Sequence, residues 1–426
     1  MQRKSENKFS ARLKGQQHQV NAKMARKLKV VHYFRSYGHN GGGVETHIQT
    51  LCASLKGKVS SSIICDRQAG LPVFEKKPEA DIYRVEPGRD AGRILTKTYD
   101  LLVNEYLREK SRVKILEKLD CDVLHIHGPL SYSGTVVSGP AFYPFYGMQA
   151  WKKARCPKVM TFHGLPESVL KEKYPSPLLF PFFDLWKGIE RKNVADSKKV
   201  ICVDKYVYEE MRSQKIEAQK FEFIPNGIDT RAFRKTKQQA AVARVESKFG
   251  IDLGSPDAVF SCVNRLGKDK GTDHVLRMAP KLEGDFKFIF AGEGPFRKQV
   301  EALCKNDSRF VFLGNVSLDD VPAIISASDY AVNPAVHQGA LRSNIEAISC
   351  HVPVIAYKIG DRYPVEENKT GYLCENMEEM TQAINAAAAG KLQTLQDFDK
   401  NCNRVATQFD IANISKRILE VYKDCA

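Results

Sequence analysis

The chain contains 426 residues, of which 43% are hydrophobic and 27% are charged, a composition typical of globular rather than fibrous or disordered proteins. At roughly 150 residues per domain, this length predicts two or three domains. No run approaches the ~18 uninterrupted apolar residues that a bilayer-spanning helix needs, and residues 1–29 lack the apolar stretch of a secretory signal. We therefore expect neither an integral membrane protein nor a secreted one.

The charge is strongly positive, because 65 Lys and Arg side chains oppose 50 Asp and Glu, a formal net charge of +15. Such a charge attracts phosphorylated ligands, anionic membrane surfaces or nucleic acid. No basic motif interleaved with aromatic residues accompanies it, so we expect no nucleic-acid partner. Residues 1–27 are predicted to form a basic flexible tail, either a solvated extension or a membrane tether. A mitochondrial transit peptide is less favoured, because the amphipathic pattern is poor.

The 11 cysteines are scattered along the chain without a CxxC pair. An odd, dispersed set predicts reduced thiols in a cytoplasm, rather than a disulfide framework or a structural zinc site. Most of these cysteines lie within apolar runs, where they are expected to act as small core residues.

From Leu28 onward, short apolar runs alternate with stretches of helical spacing. In the first half, the glycines at 41–43 follow the first strand and precede a helix over Val44–Leu55. The predicted strands of this half lie at Lys29–Phe34, Ser61–Cys65, Val123–Ile126, Lys158–Phe162, Val200–Val203 and Phe221–Ile224. This alternation indicates βαβ units and a parallel sheet.

The same rhythm restarts after Pro225. Its predicted strands are Ala258–Val263, Phe286–Ala291, Phe310–Leu313, Asp329–Val332 and Val354–Ala356. Its predicted helices are Gln238–Lys248, Asp273–Leu282, Phe296–Lys305, Val321–Ala327 and Asn344–Cys350. We therefore predict an α/β protein with two tandem Rossmann-like doubly wound domains facing a central cleft, where ligands meet the carboxyl ends of the strands. The predicted domains are 28–224 and 225–408, followed by a C-terminal helix over 409–426 that returns to the first domain.

Residues 174–186 break this pattern, since they combine aromatic residues with prolines and are followed by cations. An apolar face edged with cations fits the surface of an anionic bilayer. A buried helix start with a proline-rich lead-in is the alternative, and both interpretations stay open.

Several strand-end loops offer phosphate-binding chemistry. Glycines 41–43 would let a phosphate approach backbone N–H groups at the positive end of a helix dipole, although a tight structural turn explains them equally well. Arg265 and Lys270 flank a loop that leaves a strand, where two cations suit a diphosphate leaving group; solvated surface charges are the alternative. The glycine loops at 291–295 and 313–316 would bring backbone close to a ligand.

Two further groups of polar residues stand out. Glu346 lies in a helix that follows the loop at 337–341, and if half-buried it needs partners, which the hydroxyl groups of a ribose would supply; an ion-pairing glutamate is the alternative. His125 and His127 are two residues apart on a predicted strand and so share one face of the sheet. No Asp, Glu or His cluster in the sequence completes a metal-ligand set around them, so we expect polar residues that line a binding surface.

Seven motifs in order resemble the family-4 retaining glycosyltransferases, whose two-Rossmann architecture is called GT-B. The motifs are Gly-Gly-Val-Glu (42–45), Phe-His-Gly (162–164), Ile-Pro-Asn-Gly-Ile-Asp (224–229), Asn-Arg-Leu…Lys-Gly (264–271), Ala-Gly-Glu-Gly-Pro (291–295), Leu-Gly-Asn-Val (313–316) and Gln-Gly…Ile-Glu-Ala (338–347). Each motif is modest alone, but their shared order from Leu28 to the C-terminus is specific.

The resemblance implies transfer of a sugar from a nucleotide-diphosphate donor (a UDP- or GDP-sugar) to a glycan or lipid-linked acceptor, in glycoconjugate, polysaccharide or lipopolysaccharide synthesis. It implies a donor held by the second domain, an acceptor held by the first, no cofactor and no metal. The dispersed cysteines predict a cytoplasmic protein, and the basic tail and residues 174–186 predict its peripheral binding to the membrane face. His163 would point at the donor sugar, Glu346 would hold the ribose and Val316 would flank the base. The donor-binding residues that it implies are Gly42, Gly43, Arg265, Lys270, Gly292, Gly294, Val316, Gln338, Gly339, Ala340, Leu341 and Glu346, and the catalytic ones are His163, Arg265 and Lys270.

The chain departs from the family pattern at two places. Gln338 stands where the family usually has a glutamate that contacts a sugar hydroxyl, and residues 360–364 replace the usual Gly-Gly-x-Pro-Glu stretch. Glutamine hydrogen-bonds a hydroxyl but supplies no negative charge to a developing oxocarbenium ion. A nucleotide-sugar epimerase of the same fold and a catalytically degenerate nucleotide-sugar-binding protein therefore stay as alternatives.

Overall fold

The computed structural model describes residues 26–38, 42–86, 105–128, 148–164, 188, 191–213, 217–336, 342–359 and 362–426. The described residues form two compact units: the first contains those up to 201 with 217–222 and 418–426, and the second contains 202–213 and 223–417. The basic tail before residue 26 and the aromatic segment at 174–186 lie outside the described residues. Among the helices that are described, none has the length and apolar character needed to cross a bilayer.

The first sheet has eight strands in the order β3-β4-β2-β1-β5-β6-β7-β8. Its strands are β1 (Leu28–Ser36), β2 (Val59–Asp66), β3 (Phe74–Lys76), β4 (Asp81–Val85), β5 (Val123–His127), β6 (Lys158–Phe162), β7 (Lys199–Cys202) and β8 (Phe221–Phe223). β1 pairs in parallel with β2 and β5, and β5 pairs in parallel with β6, whereas the edge strand β3 runs antiparallel to β4. The carboxyl ends of the parallel strands β1, β5 and β6 therefore share one edge of the sheet.

The helices that accompany this sheet are α1 (Gly43–Leu55), α2 (Glu105–Leu119), α3 (Met148–Lys153) and α4 (Lys205–Ser213). In α1 the buried residues Ile48, Leu51, Cys52 and Leu55 recur at intervals of three, one and three, so one stripe of the helix faces the core. Ile48 and Cys52 pack with Ile63 of β2 and Ile82 of β4.

The second sheet has six parallel strands in the order β11-β10-β9-β12-β13-β14. Its strands are β9 (Ala258–Val263), β10 (Phe286–Ala291), β11 (Phe310–Phe312), β12 (Tyr330–Asn333), β13 (Val354–Tyr357) and β14 (Gly371–Cys374). The helices of this half are α5 (Gln238–Phe249), α6 (Thr272–Met278), α7 (Arg297–Asn306), α8 (Val321–Ser326), α9 (Arg342–Ser349), α10 (Met377–Ala388), α11 (Phe398–Phe409) and α12 (Ile411–Cys425). Central strands buried on both sides read as nearly continuous apolar runs, and in Phe-Lys-Phe-Ile-Phe-Ala of β10 only Lys287 interrupts the run.

The predicted strands are confirmed to within two residues at their ends, and the two mostly parallel α/β sheets are confirmed. The predicted helix over Asp273–Leu282 ends early, because Pro280 lacks a backbone N–H; α6 stops at Met278 and a 3₁₀ turn covers Ala279–Lys281. β3, β4 and β14 escaped prediction. The edge strands β3 and β14 have only three and four residues, and the five residues of β4, Asp-Ile-Tyr-Arg-Val, include two charged ones.

The prediction that all cysteines are free thiols is wrong for one pair. Cys121 and Cys156 form a disulfide with Cα atoms 6.2 Å apart, and the other nine cysteines are free. Each bonded cysteine lies two residues before its strand, and β5 and β6 pair in parallel with Leu124 opposite Lys158, so the two thiols meet. The dispersed cysteines therefore do not, on their own, support the predicted reducing compartment.

Candidate functional site

Arg265 and Lys270 lie on the segment that leaves the carboxyl end of β9. The segment passes through a 3₁₀ turn at Lys268–Lys270 and enters α6 at Thr272. Gly271 joins the turn to the helix with φ of 68°, and a Cβ atom there would lie 1.9 Å from the carbonyl oxygen of Pro334. Only glycine fits this contact, which fixes the position of Lys270 against the chain that follows β12.

The two cations of this segment differ in their surroundings. The Arg265 guanidinium Nη2 lies 2.7 Å from both oxygens of Asp269, and both side chains are nearly half exposed. The Lys270 side chain is half-buried, and its ammonium donates no hydrogen bond to any described residue; burial lowers the pKa of this ammonium. An exposed pair contributes at most ~1 kcal/mol, so Arg265 can exchange Asp269 for an anionic ligand at small cost. An anion would also offset the desolvation of Lys270.

The loop after β10 packs directly on this segment. Asn264 N–H donates to the Ala291 carbonyl at 3.1 Å and Leu266 N–H donates to the Glu293 carbonyl at 2.8 Å. Gly292 has φ of 140°, and a Cβ atom there would lie 2.1 Å from the Asn264 carbonyl oxygen. The close approach that the sequence predicted toward a ligand at Gly292 and Gly294 is an approach to a second loop, and a donor-binding role for these glycines stays a prediction.

A polar network holds the start of α9 beside the ends of β9 and β12. The Asn333 amide Nδ2 donates to Ser343 Oγ at 2.9 Å and to Asn344 Oδ1 at 2.5 Å, and Ser343 Oγ donates to Asn264 Oδ1 at 3.3 Å. These residues line a cavity of about 10 Å³, the space of roughly one water molecule. Sequence reasoning missed this network, because single polar residues at three separate positions carry no local pattern.

Glu346 is buried within α9, as predicted, but a protein side chain is its partner. The Arg342 Nε donates to Glu346 Oε1 at 2.6 Å, and Arg342 Nη1 donates to the Gly227 carbonyl at 3.2 Å. Burial raises the pKa of Glu346, while the Arg342 guanidinium acts in the opposite direction. The ion-pairing alternative is therefore present, and contact with a ribose stays a prediction. Val316 is half-buried beyond β11, whereas Gln338, Gly339, Ala340 and Leu341 lie outside the described residues.

Gly42 and Gly43 are exposed at the N-terminus of α1, as the sequence predicted. Gly42 N–H donates to the carboxylate of Glu45, a buried residue of the first helical turn. The negative carboxylate thus already occupies one N–H donor at the positive end of the helix dipole. Sequence reasoning treated Glu45 only as part of a motif and missed this competing contact.

The first unit contains a five-histidine cluster, in which His163 is partly exposed and the other four side chains are buried. Its members are His32, His47, His125, His127 and His163. His32 of β1 lies opposite His125 of β5 in the parallel register, and His127 is the last residue of β5. His32 Nδ1 is 3.0 Å from His127 Nε2, and His127 Nδ1 is 3.3 Å from His163 Nε2. The prediction that no cluster surrounds His125 and His127 is wrong, because sheet pairing brings in histidines that are distant in sequence.

Burial favours the neutral form of four of these histidines. His125 contacts Tyr422 Oη of α12 and Thr161 Oγ1 of β6, each at 2.6 Å. Burial lowers the pKa of His32 and of His163 to about 3, and it lowers the pKa of His125 and His127 well below the ordinary value. Neutral imidazoles can act as hydrogen-bond partners or as metal ligands, whereas protonated ones cannot bind metal.

Two regions of the chain match known protein families. Residues 41–232 match the family described as Glycosyltransferase Family 4, and residues 257–389 match that described as Glycosyl transferases group 1. A 2-deoxystreptamine glucosyltransferase of Streptomyces kanamyceticus is 30% identical over 38% of this chain and 40% of its own length. A UDP-Gal:alpha-D-GlcNAc-diphosphoundecaprenol alpha-1,3-galactosyltransferase of Escherichia coli is 26% identical over 74% of this chain and 78% of its own.

Structural similarity extends over most of the chain. The Anabaena protein HepE, solved in complex with UDP and glucose, is 16% identical and superposes with a TM-score of 0.67 over 93% of this chain and 100% of that one. With several of the curated relatives, in contrast, the match spans only 40–50% of the relative's length. Two mostly parallel α/β sheets, two matched family regions and a shared fold agree with the resemblance seen in the motifs. The chain therefore belongs to the family-4 glycosyltransferases and has their GT-B architecture.

Proposed function

We propose that the chain is a retaining, metal-independent hexosyltransferase, which moves a sugar from a UDP- or GDP-sugar to a glycan or lipid-linked acceptor. The observation that supports this most is the placement of Arg265 and Lys270 on one strand-end segment. The Lys270 ammonium donates to no described residue, and among those residues the Arg265 guanidinium pairs with the exposed carboxylate of Asp269. Both cations can therefore meet a diphosphate without breaking a buried interaction.

The chemistry follows from where charge develops. As the bond between the sugar C1 and the diphosphate oxygen breaks, negative charge grows on the departing diphosphate, and the two cations stabilise it. The departing oxygen accepts the proton of the acceptor hydroxyl, while that hydroxyl oxygen bonds to C1 from the same face, so the configuration at C1 is kept. A hydrogen bond to a charged group contributes about 1.5–3 kcal/mol, which is the size of stabilisation expected from each cation.

Other residues act on the donor in this proposal. His163 is the catalytic residue directed at the donor sugar, and its ring nitrogen Nδ1 has no hydrogen-bond partner among the described residues. Glu346 holds the ribose with the carboxylate that Arg342 orients, and Val316 flanks the base. Because the Gly42 N–H already donates to Glu45, we propose that Gly43 is the residue of α1 that contacts the diphosphate.

The printed names of similar proteins indicate which substrates to test first. The Escherichia coli relative is named for a UDP-galactose donor and a diphosphoundecaprenol-linked acceptor, and HepE was solved with UDP and glucose. A lipid-linked acceptor would place the protein on the cytoplasmic face of a membrane, and the formal charge of +15 favours an anionic surface. Co-sedimentation with anionic and with neutral vesicles tests this; equal recovery with both would contradict it.

The test of the reaction is a panel of nucleotide sugars, with nucleotide release measured in the presence and absence of a lipid-linked acceptor and with a chelator. We expect release of one nucleotide, no loss of turnover in the presence of the chelator, and an anomeric configuration that matches the donor by NMR. Release of an epimerised nucleotide sugar without acceptor would instead indicate an epimerase. Absence of turnover with every donor, together with measurable UDP or GDP binding, would indicate a degenerate binding protein.

A further inference from the structure

His47, His127 and His163 form what we call the outer histidine triad, and they come from three elements. His47 lies on α1, His127 ends β5 and His163 directly follows β6. One ring nitrogen from each lies within 4.8 Å of the other two. We propose that the outer histidine triad binds a divalent transition cation of the zinc class.

The spacing of the ligand atoms fits such an ion. With zinc–nitrogen bonds of about 2.0–2.1 Å and tetrahedral angles, two ligand nitrogens lie about 3.3 Å apart. His127 Nδ1 and His163 Nε2 are 3.3 Å apart. A modest shift of the third imidazole would complete the set, and three histidines are an established ligand set of zinc sites.

The surroundings of the triad support the same conclusion. A metal-bound imidazole usually donates its other N–H to a second partner, which fixes the ring. When His127 Nδ1 binds the ion, its Nε2–H faces His32 Nδ1 at 3.0 Å and can donate to it.

The outer triad fits better than the neighbouring group of His32, His125 and His127. Both nitrogens of His125 are already engaged at 2.6 Å, by Tyr422 and by Thr161. In the outer triad, the second ring nitrogen of His163, Nδ1, has no hydrogen-bond partner among the described residues, and the His163 side chain as a whole is partly exposed. Zinc sites with three protein ligands keep their fourth position for water or an exogenous ligand.

The site would also affect the proposed transfer reaction, a consequence that rests on the proposed function. His163 is the residue assigned to the donor sugar, and the ion would bind its Nε2 atom and occupy the space beside it. Zinc should therefore inhibit transfer, so the bound cation would be an inhibitor rather than a cofactor. Binding itself is measured without substrate, so failure of either proposal can be recognised separately.

The experiment is calorimetric titration of the full chain with zinc chloride, followed by visible absorption of the cobalt(II) form. We expect one ion per chain, micromolar or tighter affinity, and the intense absorption of tetrahedral cobalt without a thiolate charge-transfer band. His47→Gln and His163→Gln should each weaken binding by more than the ~10–100-fold typical of second-shell changes. His351→Gln is the control, because His351 lies outside the cluster and pairs with Asp399.

Melting temperatures without metal establish that each variant is folded. The proposal is overturned if the wild-type chain binds no zinc at micromolar concentration, or if both triad variants bind as tightly as the His351→Gln control. A thiolate charge-transfer band or an octahedral cobalt spectrum would likewise overturn it, because the ion would then lie on other ligands.

Discussion

Replacing Lys270 by methionine tests the electrostatic role of the strand-end segment. Methionine keeps the unbranched apolar stem and removes the ammonium, so packing is disturbed little. Lys268→Met is the matched control, since Lys268 belongs to the same 3₁₀ turn but is exposed.

The magnitude follows from the surroundings of the ammonium. A hydrogen bond to a charged group contributes about 1.5–3 kcal/mol, and about 1.4 kcal/mol corresponds to a tenfold change in affinity. Lys270→Met should therefore weaken UDP or GDP binding by about 10–150-fold. Burial lowers the pKa of Lys270, which means that folding disfavours the charged form, so this substitution should not lower the melting temperature.

Calorimetric titration with UDP and GDP measures the affinity, and nucleotide release from the preferred donor measures kcat/KM. Both should fall for Lys270→Met and stay near the wild-type values for Lys268→Met. Equal losses in the two variants, or nucleotide binding of wild-type strength in Lys270→Met, would refute the assignment of Lys270 to the diphosphate.

Three further predictions follow from the contacts. Asp269→Asn frees Arg265 from its exposed pair and should leave nucleotide affinity unchanged or raised, with a stability loss of at most ~1 kcal/mol by thermal melting; weaker binding would show that Asp269 itself contacts the ligand. Gly271→Ala should cost at least ~3 kcal/mol, whereas Gly250→Ala, with a similar φ of 64° but open space around it, should cost ~1–2 kcal/mol; equal losses would contradict the backbone clash. Burial lowers the pKa of His32 to about 3 from 6.5, so the stability that its neutral form contributes should be fully present above pH ~6.5 and be lost toward pH 3. A melting temperature that stays constant across this range would contradict the buried neutral state of His32.

Most strands of both sheets could be predicted because buried parallel strands leave nearly continuous apolar runs in the sequence. Phe286–Ala291 was predicted at its observed bounds, since five of its six residues are aromatic or aliphatic and it lies between Asp285 and Gly292. The strand-end position of Arg265 followed from the same pattern. A strand prediction of this kind depends only on residues that are adjacent in sequence, and these residues lie in the same strand.

Contacts between elements distant in sequence could not be predicted. His32, His127 and His163 are separated by 95 and 36 residues, and only the register of β1, β5 and β6 brings them together. The disulfide between Cys121 and Cys156 depends on the same strand pairing. The pairing of Arg265 with Asp269 could have been considered from the sequence, because oppositely charged residues four apart can form ion pairs. The sequence alone does not show which of several nearby carboxylates pairs with Arg265.

A crystal structure of the chain with bound UDP or GDP tests the central claim most directly. We expect the Lys270 ammonium within hydrogen-bond distance of the diphosphate, and the Arg265 guanidinium turned from Asp269 onto the same group. A nucleotide bound with both side chains directed elsewhere would contradict the account.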